Sequence, residues 1–178
     1  IRWSMGPTDS GWTYSGWNID HVQMLQIPGG TIQFIIDNDE PGFSYSGTWN
    51  TSAYGSPYGS DKRYAAQGDG SGVAVWEFTG IPAGEYTLEF WVNDNNYASD
   101  AHYRIEYDGA PSGGALVTAS QNYQGDGWHN LGQYAFTEGT ARITLVDSWQ
   151  GEGVYAVADA LRLTWADSAS PAPSWEFY

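Results

Sequence analysis

No cysteine occurs anywhere in the 178 residues, so disulfide frameworks, thiolate metal sites and thiol nucleophiles are all excluded. Basic residues are nearly as scarce. Six Lys+Arg stand against 21 Asp+Glu, a formal net charge of -15, which repels nucleic acid phosphates and anionic bilayers. No apolar run approaches the roughly 20 residues that a membrane-spanning helix needs. No amphipathic 3.6-residue period persists over several turns either. Nucleic acid partners and membrane insertion are therefore not expected. The first residue is Ile and nothing reads as a signal peptide, which predicts a mature or excised product.

What is present is aromatic, glycine-rich and short-patterned. Ten Trp, 13 Tyr and 23 Gly within a 41% hydrophobic chain fit an extracellular all-β module. Alternating runs divided by Gly-rich turns predict strands over 31–36, 73–78, 86–92, 102–107, 116–120, 133–136, 141–146 and 157–165. Eight strands at this spacing predict a β-sandwich of jelly-roll type. Between Tyr86 and Val92, period two places Tyr86, Leu88, Phe90 and Val92 on one face, the core face, and Thr87, Glu89 and Trp91 on the other. Ile81-Pro82-Ala83-Gly84 reads as the tight turn before that strand. The stretches 37–72 and 93–100 read as long loops.

The first 27 residues read as a β-hairpin extension, the core domain as 28–166 and the end as a 167–178 tail. Asp20-His21-Val22-Gln23-Met24 repeats the pattern of Asp159-Ala160-Leu161-Arg162-Leu163, an aspartate followed by apolar residues two and four positions on. Each reads as a closing strand whose aspartate faces inward and pins a neighbouring loop through backbone N–H groups. Two closing strands for one set of preceding strands leave the hairpin without a sheet of its own. A lone hairpin is marginal in water, so it docks on its own domain or on another copy. In the second case Trp3, Trp17, Ile19, Val22, Met24 and Leu25 form the assembly interface, joined by Trp175, Phe177 and Tyr178 of the tail. Copies of the same chain are then the partner, and a head-to-tail contact that does not close builds a filament.

Chemistry-bearing motifs are few. No G-x-S-x-G elbow and no H-E-x-x-H spacing occur, and His21, His102 and His129 lie far apart. Carboxylates cluster at Asp37, Asp39 and Glu40 and at Asp94 and Asp100, without the pattern of an EF-hand loop. No cofactor is expected, with structural calcium as the one metal such oxygen-rich loops would suit and plain turns as the commoner reading. Asn50-Thr51-Ser52 is a glycosylation sequon. Of the tryptophans, Trp49, Trp76, Trp91, Trp128 and Trp149 are candidates for stacking on pyranose C–H faces. Trp76 and Trp128, inside strand and turn motifs, are expected in the core instead. Trp91, opposite the core face, and Trp149, Tyr54, Tyr58 and Tyr123 in loops are the expected sugar contacts.

One ordered series of motifs is more specific than any of these. It runs Ile36-Asp37-Asn38, Phe43-Ser44, Gly47-Thr48-Trp49, Tyr58-Gly59, Tyr64-Ala65, Ala74-Val75-Trp76-Glu77-Phe78 and Ile81-Pro82-Ala83-Gly84-Glu85-Tyr86 into Trp91-Val92. It continues through 98–105, Gln121, Gly127-Trp128-His129-Asn130-Leu131-Gly132, Gly139 and Val157-Ala158-Asp159-Ala160-Leu161. In this order the motifs resemble the golvesin C-terminal-like domain, also described as the xanthan-lyase-type carbohydrate-binding-like domain. The resemblance implies a β-sandwich of secreted multidomain bacterial proteins, placed beside polysaccharide- or peptide-cleaving domains and without catalysis of its own. Gly16-Trp17-Asn18-Ile19-Asp20 is similar to the last strand of secreted jelly-roll domains, without their earlier strands. The expected function is a non-catalytic extracellular or cell-surface subunit that self-associates through its N-terminal strands. The alternative is a carbohydrate-binding module of a secreted polysaccharide-degrading protein, with extracellular polysaccharide as partner.

Overall fold

The computed structural model describes residues 31–92, 96–122, 126–137 and 139–166. The expectations for residues 1–27, for Tyr123 and for the aromatic end at 175–178 lie outside them. Twelve strands run through the described residues: β1 Gln33–Ile36, β2 Phe43–Ser46, β3 Asn50–Ser52, β4 Lys62–Ala66, β5 Val73–Ile81 and β6 Gly84–Val92. They continue as β7 Ala101–Glu106, β8 Ala115–Ala119, β9 Gly127–Phe136, β10 Gly139–Val146, β11 Tyr155–Ala158 and β12 Leu161–Trp165. No helix interrupts them among the described residues. The all-β sandwich is the fold.

Three antiparallel sheets form, ordered β1-β12-β6-β9, β2-β5-β10-β7-β8 and β11-β4-β3. Alternation explains how the first two cover each other. Tyr86, Leu88, Phe90 and Val92 of β6 point inward with Leu161 and Leu163 of β12, and all are buried. Trp76 and Phe78 of β5, Ile143 and Leu145 of β10 and Tyr103 and Ile105 of β7 supply the opposing layer. Phe90 meets Tyr103 across the core with ring centres 5.7 Å apart. Each fully buried side chain of this size stabilises the fold by about 1.5–3 kcal/mol.

Three differences from the expected strand list matter for the site. The stretch expected as one loop, 37–72, contains β2, β3 and β4. The expected strand over 157–165 is broken at Asp159 and Ala160, so that β11 joins the three-stranded sheet and β12 the four-stranded one. The strand expected over 133–136 begins at Gly127, with a bulge that makes Leu131 the extra residue between Leu88↔Gly132 and Glu89↔Asn130. A bulge reverses which side chains face inward. Trp128 accordingly turns outward, opposite Trp91, rather than into the core.

Candidate carbohydrate-binding surface

The site is built around the loop 53–61, which joins β3 to β4 and is tied down at three points. Its first tie is Lys62, 2% exposed, whose Nζ donates to the Tyr54 carbonyl at 2.8 Å and to the Tyr97 hydroxyl at 2.5 Å. Next, the Trp91 indole Nε1–H donates to the Ser56 carbonyl at 3.0 Å. Asp159, 2% exposed, provides the third, where its two carboxyl oxygens accept the Tyr58 N–H at 3.2 and 3.3 Å. The inward aspartate of the closing strand thus pins a neighbouring loop, as its sequence pattern predicts. The Lys62–Tyr97 bond is fully buried and the Trp91–Ser56 bond exposed, so the Lys62 tie holds the loop most firmly.

Asp159 does not act alone. The Asp37 carboxyl lies close enough to raise its pKa and accepts the Asn38 N–H at 2.8 Å, while the Asn38 side chain donates to Asp61 at 2.7 Å. Burial pushes the Asp159 carboxyl up to about 8; the Asp37 charge pushes the same way, and the Tyr58 N–H, Lys62 and the Ala160 N–H pull against it. Burial raises Asp37 as well, with Asp39 and Glu40 adding to the rise and the Asn38 N–H and Asp159 opposing it. Burial and the neighbouring Asp37 charge together keep the Asp159 carboxyl mostly protonated at neutral pH.

The pinned loop sets Tyr58, 40% exposed, against two tryptophans on the outer face of the four-stranded sheet. Trp91 and Trp128 are cross-strand neighbours with ring centres 5.4 Å apart, edge to face. Tyr58 lies 5.7 Å from Trp91 and 5.1 Å from Trp128. Arg162 of β12 stacks its guanidinium 4.3 Å above the Trp128 ring and pairs with Glu89 of β6 at 2.6 Å. This fixes Trp128 and pairs the Glu89 carboxylate on the same face. Beyond the aromatics the same face carries polar rows in register. Gln33 bonds Thr164, and Gln133 bonds Thr87, each at 3.2 Å. Aromatic rings at one end of this face and uncharged amides and hydroxyls past the Glu89–Arg162 pair can stack on sugar C–H faces and hydrogen-bond sugar hydroxyls.

The other expected contacts divide. Tyr54, 76% exposed, stands at the opposite end of the loop, at a cleft of about 240 Å³ formed with Tyr64, Tyr97 and Tyr155. Trp149 is a correction. Although it lies in a loop, it is only 3% exposed, because its ring packs into the core cluster while residues 150–153 stay exposed. Gln67 reaches the Trp149 carbonyl at 2.5 Å, and Asp100 accepts the Gln150 and Gly151 N–H groups at 3.0 and 2.7 Å. Trp49 is buried too, and Trp76 is a core residue whose indole donates to the Asp159 carbonyl at 3.1 Å. Trp128 and Arg162 were not expected as contacts. The match between Trp91 on β6 and the β9 register was the signal for Trp128, hidden by the bulge.

Metal and acid–base arrangements are weaker. Among the described residues no group of three or more His, Cys, Asp or Glu side chains is placed to hold a metal ion. Asp100 serves a turn, and Asp37 serves the carboxyl pair. His102 lies 3.9 Å from Asp100, and burial lowers the pKa of His129.

Comparison with known proteins agrees with this architecture. A search of curated proteins returned no match. Among solved structures, a Paenibacillus xanthan lyase superposes with a TM-score of 0.65 at 26% identity, over 75% of this chain and 13% of that one. This chain therefore spans a small fraction of that enzyme's length. A family 35 carbohydrate-binding module from Clostridium thermocellum gives 0.53 at 14% identity, covering 75% of this chain and 98% of the module. A module described as Xyl-CBM35 in complex with a glucuronic acid containing disaccharide gives 0.50 at 19%, covering 72% and 91%. At these identities the two modules show a shared fold. The family model of the golvesin C-terminal domain matches residues 34–165, and the chain belongs to that family.

Proposed function

We propose that this chain is a non-catalytic carbohydrate-binding module of a secreted, polysaccharide-acting protein, and that its ligand is an extended neutral polysaccharide. The observation that carries this reading is the outer-face aromatic trio. Tyr58, Trp91 and Trp128 meet within 6 Å of one another, and the Gln and Thr row lies farther along the same face, past the Glu89–Arg162 pair. Carbohydrate-binding modules among the solved structures that share the fold support it. Charge decides between neutral and acidic glycans. With 21 acidic against 6 basic residues, and Arg162 already paired to Glu89, a polyanion meets repulsion at this face.

Affinity electrophoresis of the full chain through gels containing xylan, mannan, β-glucan or xanthan tests this. Retardation by at least one neutral polysaccharide is expected, weakened about tenfold in Trp91→Ala, the equivalent of about 1.4 kcal/mol of stacking. Free migration in every gel, or retardation by xanthan alone, overturns it.

Self-association stands as a second reading, supported by the end strands β1, β9, β2 and β8, which pair on one side only among the described residues. An open strand edge is what a strand from another copy needs. The strands that would donate, and the aromatic tail, lie outside the described residues. Light scattering on the chain lacking residues 1–27 tests this reading, and an unchanged oligomeric state rejects it.

A further inference from the structure

The cleft on the three-stranded sheet is separate from the outer-face aromatics and differs from them in shape. Its walls come from three directions. Ser52 ends β3, Tyr64 lies on β4, Tyr155 opens β11, and Asn96 and Tyr97 arrive from the segment before β7. Sheet pairing explains the meeting: β11 and β4 are hydrogen-bonded neighbours, and Tyr97 bridges Tyr155. Tyr64 and Tyr155 form one wall, edge to face at 4.9 Å. Tyr54 stands at the mouth. The floor is shut by Lys62 and Tyr97, both buried, with the Lys62 ammonium bonded to the Tyr97 hydroxyl and the Tyr54 carbonyl.

We propose that this cleft is a second carbohydrate subsite, one that takes the terminal residue of a neutral glycan or a free neutral monosaccharide. Volume, closure and polarity together lead there. About 240 Å³ is below the 300 Å³ or so at which drug-sized sites begin, which leaves room for one pyranose ring. With Lys62 and Tyr97 buried beneath it, the space suits a single ring rather than a run of sugars. Two kinds of group line it: tyrosine rings, which present flat faces to C–H groups, and the uncharged Ser52 hydroxyl and Asn96 amide, which match sugar hydroxyls. The Lys62 ammonium is committed to the Tyr54 carbonyl and the Tyr97 hydroxyl, so the cleft offers an acidic sugar no dedicated partner. The inference is independent of the outer-face reading. A flat platform for an internal stretch and a closed cleft for an end are separate sites, joined only through the loop that carries Tyr58 and Tyr54.

The test is nuclear magnetic resonance titration of the full chain with glucose, galactose, mannose and xylose at millimolar concentrations, with glucuronate as the charged comparator. A neutral sugar is expected to shift the Asn96 and Tyr97 amide resonances saturably. Tyr54→Ala, at an exposed position where folding is not at stake, is expected to weaken that binding about tenfold, and Asn96→Ala to weaken it as well. Trp128→Ala, on the outer face, is expected to leave it unchanged. Three results would each overturn the proposal: no neutral sugar shifts these resonances, glucuronate alone binds, or Tyr54→Ala and Asn96→Ala both bind like the parent. Loss of polysaccharide retardation in Trp128→Ala with these shifts intact leaves the two sites distinct. Loss of the shifts in Trp128→Ala overturns their independence.

Discussion

Raising the pH should loosen this fold through one buried group. The Asp159 carboxyl moves from its ordinary 3.8 to about 8 on folding, first because it is buried and second because Asp37 faces it. Since the folded-state value is raised, the folded chain holds a proton that the unfolded chain has released. The resulting stability is complete below about 3.8, declines as pH rises and is gone above about 8. Integrated over a single site, the loss is about 4 kcal/mol between pH 5 and 9.5, of which about 1.4 kcal/mol falls above pH 7. His129 acts in the opposite sense, and only below its ordinary 6.5, so the upper window is free of it. For a domain of this size the upper-window loss is a fall of about 4 °C in Tm. Asp159→Asn keeps a carbonyl for the Tyr58 N–H and cannot ionise. Thermal and urea unfolding from pH 7 to 9.5 should therefore fall for the parent and stay nearly flat for this variant. A parent curve that is level or rising, or a variant with the parent's slope, refutes the reasoning.

Two further perturbations probe how the neighbouring segments are held. Gln121, buried, bonds the Val157 N–H at 2.9 Å, the Val157 carbonyl at 2.7 Å and the Tyr103 hydroxyl at 2.6 Å. Gln121→Ala strands these groups and should cost about 2–4 kcal/mol in urea unfolding, whereas a loss below about 0.5 kcal/mol would contradict the bonding described. Gly153 has φ of +106°, and a Cβ there would sit 2.1 Å from the Tyr97 carbonyl oxygen. Gly153→Ala should destabilise by at least about 2 kcal/mol and displace Tyr97, weakening sugar binding in the cleft, and parent-like melting would contradict that.

Much of this fold was legible where period two is unbroken. The alternation from Tyr86 to Val92 assigned the core face of β6 correctly and put Trp91 outside it. The inward aspartate of the closing strand was readable as a loop pin because a buried carboxyl must find donors, and Asp159 finds Tyr58. What stayed hidden depended on partners distant in sequence. Phe43–Ser46 and Asn50–Ser52 are short, mostly exposed and rich in Ser and Tyr, so nothing local marks them as strands before β5 and β4 pair with them. Trp128 was misassigned by the reversal of parity at Leu131, which no count along the chain reveals. Trp149 looked accessible because loops usually are, yet its ring packs into the core cluster.

The central claim is that the face carrying Tyr58, Trp91 and Trp128 holds polysaccharide, and the indole N–H resonances of the full chain test it most directly. On titration with the neutral polysaccharide that retards the chain most, the Trp91 and Trp128 signals should shift together and saturate, while those of the buried Trp49, Trp76 and Trp149 stay in place. Saturating polysaccharide that leaves Trp91 and Trp128 unmoved would contradict the account.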